Sequence, residues 1–80
     1  MPEASVIIPF HDRLVWTQQA IASVTQQTYQ DFEIIVVDDG STEDYRAQIE
    51  RLDNRIRYIR QEQRGAAAAR NAGIKIATTG

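Results

Sequence analysis

Phe32-Glu33-Ile34-Ile35-Val36-Val37-Asp38-Asp39-Gly40-Ser41 is a β-branched run that ends abruptly in two adjacent carboxylates and a glycine. Continuous Ile and Val without alternation marks a strand buried on both faces, as in a parallel sheet sandwiched between helices. In such sheets ligands bind just beyond the carboxyl ends of the strands. Asp38 and Asp39 stand at that edge, where chemistry or ligand recognition is expected.

On the N-terminal side, Ser5-Val6-Ile7-Ile8 reads as a first buried strand, stopped by Pro9, which cannot donate to a ladder. From Leu14 to Gln27 the pattern turns helical: Trp16, Ala20 and Val24 recur every four residues, with Leu14 and Ile21 beside them, as a wide apolar stripe. Thr28-Tyr29-Gln30-Asp31 connects this helix to the second strand, Phe32 to Val37. Beyond Gly40, Ser41-Thr42-Glu43-Asp44 fits a helix start, with Ser41 as the cap and the acids at the positive end of the dipole. That helix is expected to reach Leu52. Ile56-Arg57-Tyr58-Ile59-Arg60 alternates apolar and basic residues, the pattern of a half-buried strand. Gln61 to Gly65 is a polar loop, and Ala66 to Ala77 an alanine-rich helix. Gly73 either lets that helix lie close to the sheet or marks a helix end at Ala72. The order βαβαβα predicts an α/β domain with a mainly parallel sheet and right-handed crossovers.

Eighty residues make one small domain at most. At this size a chain buries only about 60% of the surface it exposes when unfolded. Three parallel strands leave a sheet edge open, so the chain reads as the first part of a larger domain. With no cysteine, disulfides and thiolate metal sites are excluded, which suits a reducing compartment. The net charge is −2, yet eight of the nine cations lie in the second half: Arg46, Arg51, Arg55, Arg57, Arg60, Arg64, Arg70 and Lys75. They favour phosphates or an anionic surface, or simply solvate a face. No apolar stretch approaches the ~20 residues of a membrane span, and Met1-Pro2-Glu3 is not the start of a signal peptide.

An aspartate at the end of a parallel strand accepts hydrogen bonds from a nucleobase N–H or a ribose hydroxyl, or binds a divalent cation. It equally caps a turn, since Asp-Asp-Gly-Ser is good turn chemistry. The expectation is one carboxylate for the turn and the other for a ligand. The loop Pro9-Phe10-His11-Asp12-Arg13 should emerge beside Asp39, because the first two strands are usually neighbours. A ring there stacks on a base, or His11 is a partly exposed loop histidine. The loop has no glycine, which excludes both the dinucleotide-binding and the Walker-type phosphate loops. Gly65, just before a helix, allows close approach of a ligand to the backbone. Arg70, about one turn into that helix, either reaches a diphosphate or pairs with Asp38 or Asp39.

Together these segments resemble the family-2 glycosyltransferases, which have the GT-A nucleotide-diphospho-sugar fold. The resemblance rests on Ser5 to Arg13, on Ser23 to Ser41, and on Gly65 with Ala68-Ala69-Arg70-Asn71-Ala72-Gly73-Ile74. It implies a three-layer α/β/α, Rossmann-like architecture, of which residues 1–80 are the N-terminal, nucleotide-binding part. It implies that Pro9, Phe10, His11 and Asp12 wrap the nucleobase, with His11 where the family commonly has a stacking tyrosine and Asp12 where it has asparagine. Asp39 would hold the base edge, Asp38 would be the more structural acid, Arg70 would lie near the base or diphosphate, and Gly65 would line the pocket.

The resemblance also implies Mg²⁺ or Mn²⁺ on the diphosphate, held by an Asp-x-Asp-type motif after a strand that begins beyond Gly80, and a catalytic base later still. No catalytic residue and no metal ligand is therefore assigned within these 80 residues. The parent protein would transfer a sugar from a nucleotide-diphospho-sugar donor to an acceptor hydroxyl, with inversion. Its acceptor would be a saccharide, a lipid-linked precursor or a protein. Its other partner would be the remainder of the domain, with no nucleic acid. Its location would be cytoplasmic, including the inner membrane face. Two rivals stand beside this reading. One is a non-catalytic nucleotide-binding remnant. The other is a receiver-like signalling domain, which expects its acid pair after the first strand rather than the second.

Overall fold

A computed structural model describes residues 4–77. The order is β1 (Ala4–Phe10), α1 (Leu14–Thr25), β2 (Phe32–Asp39), α2 (Arg46–Glu50), β3 (Ile56–Gln61) and α3 (Ala66–Ile76). The strands form one parallel sheet in the order β1-β2-β3. The central strand is β2, and all eight of its residues are buried, as the unbroken Ile/Val run requires. Ile34 and Val36 face one side, where they pack with Phe10, Ile21, Phe32, Ile49, Ile56 and Tyr58. Ile35 and Val37 face the other, against Ala69, with Ile7, Ile59, Ala72 and Ile76 around them. Helices α1 and α2 thus cover one face and α3 the other, giving three layers, α/β/α.

Several boundaries differ from the sequence reading. Strand β1 does not stop at Ile8 but continues through Pro9 to Phe10, paired Pro9 to Val37 and Phe10 to Asp38. Proline is tolerated there because β1 has a paired neighbour on one side only among the described residues. Strand β2 likewise continues past Val37, so that Asp38 lies opposite Arg60 and Asp39 opposite Gln61. Helix α1 ends at Thr25, two residues early, and its buried positions are Thr17 and Ile21. Trp16 is not in the core; it is 58% exposed. Of the expected stripe, Leu14, Ile21 and Val24 do pack on the core while Trp16 and Ala20 lie outside it, and the helix rests on Leu14, Thr17, Ile21 and Val24.

Helix α2 begins at Arg46 rather than Ser41 and ends at Glu50. Ser41 is not its cap, because the Ser41 hydroxyl is taken by the β1–α1 loop; Asp44 Oδ1 instead accepts from Arg46 N at 3.0 Å. The remaining elements agree with expectation. On β3, Ile56 and Tyr58 are buried while Arg57 and Arg60 are exposed. Helix α3 passes straight through Gly73, which settles the alternative of a helix end at Ala72. A Cβ on Gly73 would stand 2.6 Å from Ile7 Cγ2 and 3.2 Å from Val37 Cγ2, so the helix lies against the sheet at glycine distance. Met1, Pro2 and Glu3, and the strand expected beyond Gly80, lie outside the described residues.

Candidate nucleotide-binding site

The turn after β2 is built first. Gly40 adopts φ +78°, and a Cβ there would meet Gln63 N at 2.8 Å, so only glycine fits the turn. Asp38 is fully buried. Its Oδ1 accepts from Ser41 N at 2.9 Å, its Oδ2 accepts from the Tyr58 hydroxyl, and Arg60 Nε lies 3.7 Å from Oδ2. Burial and the bond to Asp38 both push the Tyr58 phenol up from its ordinary value. Asp38 therefore ties β2, the turn and β3 together.

The β1–α1 loop is latched onto this turn. Asp12 sits at φ +54°, where a short polar side chain is better tolerated than a bulky one. Its N–H donates to Ser41 Oγ at 2.8 Å. Its carboxylate accepts from Thr42 N at 3.1 Å and from the Thr42 hydroxyl at 2.9 Å. The Thr42 amide, outweighing the opposing effect of desolvation, holds the Asp12 carboxyl below its ordinary value. Before it, Phe10 is 2% exposed, stacked on Tyr45 at 5.3 Å and edge-on to Tyr58 at 6.3 Å. The Phe10 ring is a core element, and His11, with 45% of its side chain exposed, is the ring on the open side of the loop.

The β3–α3 loop is gathered by Asp39. Oδ1 accepts from Gln61 Nε2 at 2.9 Å and Arg64 N at 2.8 Å, and Oδ2 accepts from Gly65 N at 2.9 Å. Burial pushes this carboxyl up, but the bonds from Gln61, Arg64 and Gly65 outweigh it and the net shift is downward. A carboxylate has about four acceptor positions. Three are filled, and the one left is on Oδ2. Gly65, at φ +98°, opens α3 with empty space where a Cβ would be, so a ligand meets bare backbone there.

Between these loops lies a cavity of about 320 Å³. Pro9, Phe10, His11 and Arg13 line it from the β1–α1 loop, Trp16 and Thr17 from α1, Asp39 from β2, and Gln63, Gly65 and Ala66 from the start of α3. It sits at the carboxyl edge of the sheet, where the chain has covered one face with α1 and α2 and turns to the other with α3. That is the position at which open α/β sheets bind ligands.

The structure therefore brings Pro9, Phe10, His11, Asp39 and Gly65 to one cavity. It leaves two expected residues outside. Asp12 serves as the latch, and Arg70 is exposed, without a hydrogen bond or ion pair to any described residue. Arg70 does not pair with Asp38 or Asp39, whose partners come from β3 and the loop after it. Of the other lining residues, sequence reasoning placed Arg13 in the loop beside Asp39 without giving it a role, and it missed Trp16, Thr17, Gln63 and Ala66. A signal for two of them was present: Trp16 and Thr17 lie in the first turn of the helix that follows the His11 loop. Among the described residues no group of three His, Cys, Asp or Glu could hold a metal ion.

Comparison with known proteins converges on one family. The sequence model described as glycosyl transferase family 2 matches residues 5–80. A glycosyltransferase of Rickettsia bellii is 49% identical over 75 residues, covering 91% of this chain and 11% of that protein. A β-1,3-glucosyltransferase of Campylobacter jejuni, named for the acceptor GalNAc(5)-diNAcBac-PP-undecaprenol, is 37% identical over 79 residues, covering 92% of this chain and 26% of that protein. Among solved structures, a mannosyltransferase of Pyrobaculum calidifontis in complex with GDP-Man and Mn²⁺ superposes with a TM-score of 0.84 at 25% identity, covering 96% of this chain and 25% of that one. The chain thus spans a tenth to a quarter of the length of these relatives. With its parallel sheet, its three layers and a family match over nearly all its residues, the chain belongs to glycosyl transferase family 2 and carries the first βαβαβα portion of the GT-A fold.

Proposed function

We propose that these residues form the donor-nucleotide part of a glycosyltransferase that transfers a sugar from a nucleotide-diphospho-sugar to an acceptor hydroxyl with inversion. The observation that carries the reading is the cavity at the sheet edge, closed on one side by the His11 loop and on the other by the loop that Asp39 gathers. Its volume, about 320 Å³, is near the lower limit for ligand sites and suits a nucleoside rather than a whole nucleotide sugar. His11 offers a ring face to the base, and the remaining acceptor position on Asp39 Oδ2 takes an N–H from its edge. Gly65 and the start of α3 present backbone to the ribose or diphosphate. The complex of the related mannosyltransferase with GDP-Man supports a donor of this class.

In the transfer, the acceptor oxygen bonds to the anomeric carbon as the bond from that carbon to the nucleoside diphosphate breaks, and a base takes the hydroxyl proton. The contribution of this chain is to hold the leaving nucleotide in place, which lowers the entropic cost of alignment. The described residues do not fit a metal, so no step through one is assigned to them. Mg²⁺ or Mn²⁺ and the catalytic base belong in this proposal to residues after Gly80. A cytoplasmic location, at the inner membrane face when the acceptor is lipid-linked, is part of the same reading.

Calorimetric titration of the full-length transferase with UDP and with GDP tests the proposal. At least one should bind, and His11→Ala should weaken it roughly tenfold, the lower range of a lost base-stacking contact. Absence of binding by both nucleotides at millimolar concentration would refute it.

A further inference from the structure

Arg13 is the only Lys or Arg before Arg46 in the sequence, and it stands at the candidate site. Most of the later arginines have protein partners. Arg55 pairs with Asp53, Arg57 with Glu33 and Arg60 with Asp38, while Arg46 and Arg51 donate to the carbonyls of Tyr58 and Ala47. The Arg13 guanidinium is exposed and has no hydrogen bond or ion pair with any described residue. Its neighbour Asp12 does not neutralise it, because that carboxylate is taken by Thr42. Among the other unengaged cations, Arg64 and Lys75 border a different hollow, along α3 with Asn71, and Arg70 is outside the cavity lining. Among the described residues, Arg13 is therefore the one Lys or Arg that a ligand in the cavity can meet.

We infer that Arg13 is a donor-binding residue whose guanidinium takes the phosphate groups of the nucleotide. The inference rests on the donor-nucleotide reading above. The charges of the cavity lining carry it. Asp39 is held by Gln61 Nε2 and the amides of Arg64 and Gly65, all neutral donors, and no cation pairs with it among the described residues. A diphosphate brought beside an uncompensated carboxylate is repelled, and Arg13 supplies the compensating charge from the β1–α1 loop. His11, in the same lining, gives a ring face. A guanidinium instead keeps its charge at all ordinary pH and presents five N–H donors in a planar fork that fits phosphate oxygens. Asp39 and Arg13 together also set the direction in which the nucleotide lies. A carboxylate accepts from a base N–H and repels phosphate, and a guanidinium does the reverse, so only one orientation satisfies both.

The test compares nucleotide with nucleoside on the full-length transferase, using ligand-observed NMR for the weaker nucleoside. UDP and GDP are titrated first, and the tighter of the two is then paired with uridine or guanosine. Arg13→Gln, which removes the charge, should weaken the nucleoside diphosphate roughly tenfold, the lower range of an ionic hydrogen bond at an exposed site. It should change the nucleoside by less than about twofold, since no phosphate is present to lose. Arg13→Lys keeps a point charge that phosphate also accepts, and should stay within about threefold of wild type for the diphosphate. The melting temperature of nucleotide-free Arg13→Gln should match wild type, because the guanidinium has no partner among the described residues. Equal weakening of nucleoside and diphosphate would make Arg13 a wall for the base and would overturn the inference. So would a lowered melting temperature with an unchanged ratio of the two affinities, which marks an ion pair within the protein instead. Failure of wild type to bind either nucleotide would remove the donor reading and this inference with it, whereas nucleotide binding that Arg13→Gln leaves unchanged removes only the role of Arg13.

Discussion

Asp39→Asn separates the two tasks that the structure gives this carboxylate, gathering a loop and facing a cavity. The substitution preserves shape and removes one acceptor and the charge. Because Oδ1 takes two donors, Gln61 Nε2 and Arg64 N, the amide oxygen must occupy that position. The amide nitrogen is then left facing Gly65 N–H at the 2.9 Å now spanned by a hydrogen bond, donor against donor. One charge-assisted bond is lost, worth about 1.5–3 kcal/mol, and the other two weaken as the acceptor becomes neutral. Asp39 is only 6% exposed, so water compensates little. The expected destabilisation is about 2–4 kcal/mol, a large share of the ~5–15 kcal/mol of an ordinary domain. Urea unfolding of the full-length protein would read the midpoint, and amide exchange at Arg64 and Gly65 would read the loop itself. Nucleotide affinity should fall at least tenfold, because a donor now stands at the position that accepts the base. A midpoint within about 0.5 kcal/mol of wild type, the usual range of neutral surface changes, would refute the clamp. Lowered stability with unchanged nucleotide affinity would leave Asp39 as a clamp only.

Two further outcomes concern stability alone. Gly73→Ala improves helix propensity by about 1 kcal/mol, yet places a Cβ 2.6 Å from Ile7 Cγ2, on a β-branched side chain with little freedom to turn away. Overpacking costs about 1–3 kcal/mol, so a net loss of about 1 kcal/mol is expected by urea unfolding, and a gain would show that α3 slides freely on the sheet. Asp53 accepts two bonds from the Arg55 guanidinium at 2.8 Å, and these hold its carboxyl down to about 2. A depressed carboxyl stabilises the fold above its unfolded value of about 4 and loses that contribution as pH falls through about 2. After allowance for solvent screening at the surface, Asp53→Asn should cost about 1 kcal/mol at neutral pH. That gap should close near pH 2, and one that stays constant with pH would contradict the pairing.

Local chemistry wrote some of this protein plainly into its sequence. The unbroken Ile/Val run dictates a doubly buried strand, and such a strand requires helices on both faces, so Phe32 to Val37 alone leads to three layers. The alternation at Ile56 to Arg60 and the alanines of α3 are equally local. Asp38-Asp39-Gly40-Ser41 is turn chemistry wherever it occurs, and its place at the end of a parallel strand marks the ligand edge. Contacts across 20 to 30 residues of sequence decided the rest. Ser41 looks like a helix cap until Asp12 N–H, 29 residues away, takes its hydroxyl. Trp16 looks like core until the sheet selects Thr17 and Ile21 as the face that α1 buries. The donors that fill Asp39 include the backbone amides of Arg64 and Gly65, and a sequence names side chains but does not say where main-chain N–H groups point. Asp38 and Asp39 are alike as letters. Only the alternation of a strand, which turns neighbouring side chains to opposite faces, makes one of them a buried strut between strands and gives the other a place at the cavity.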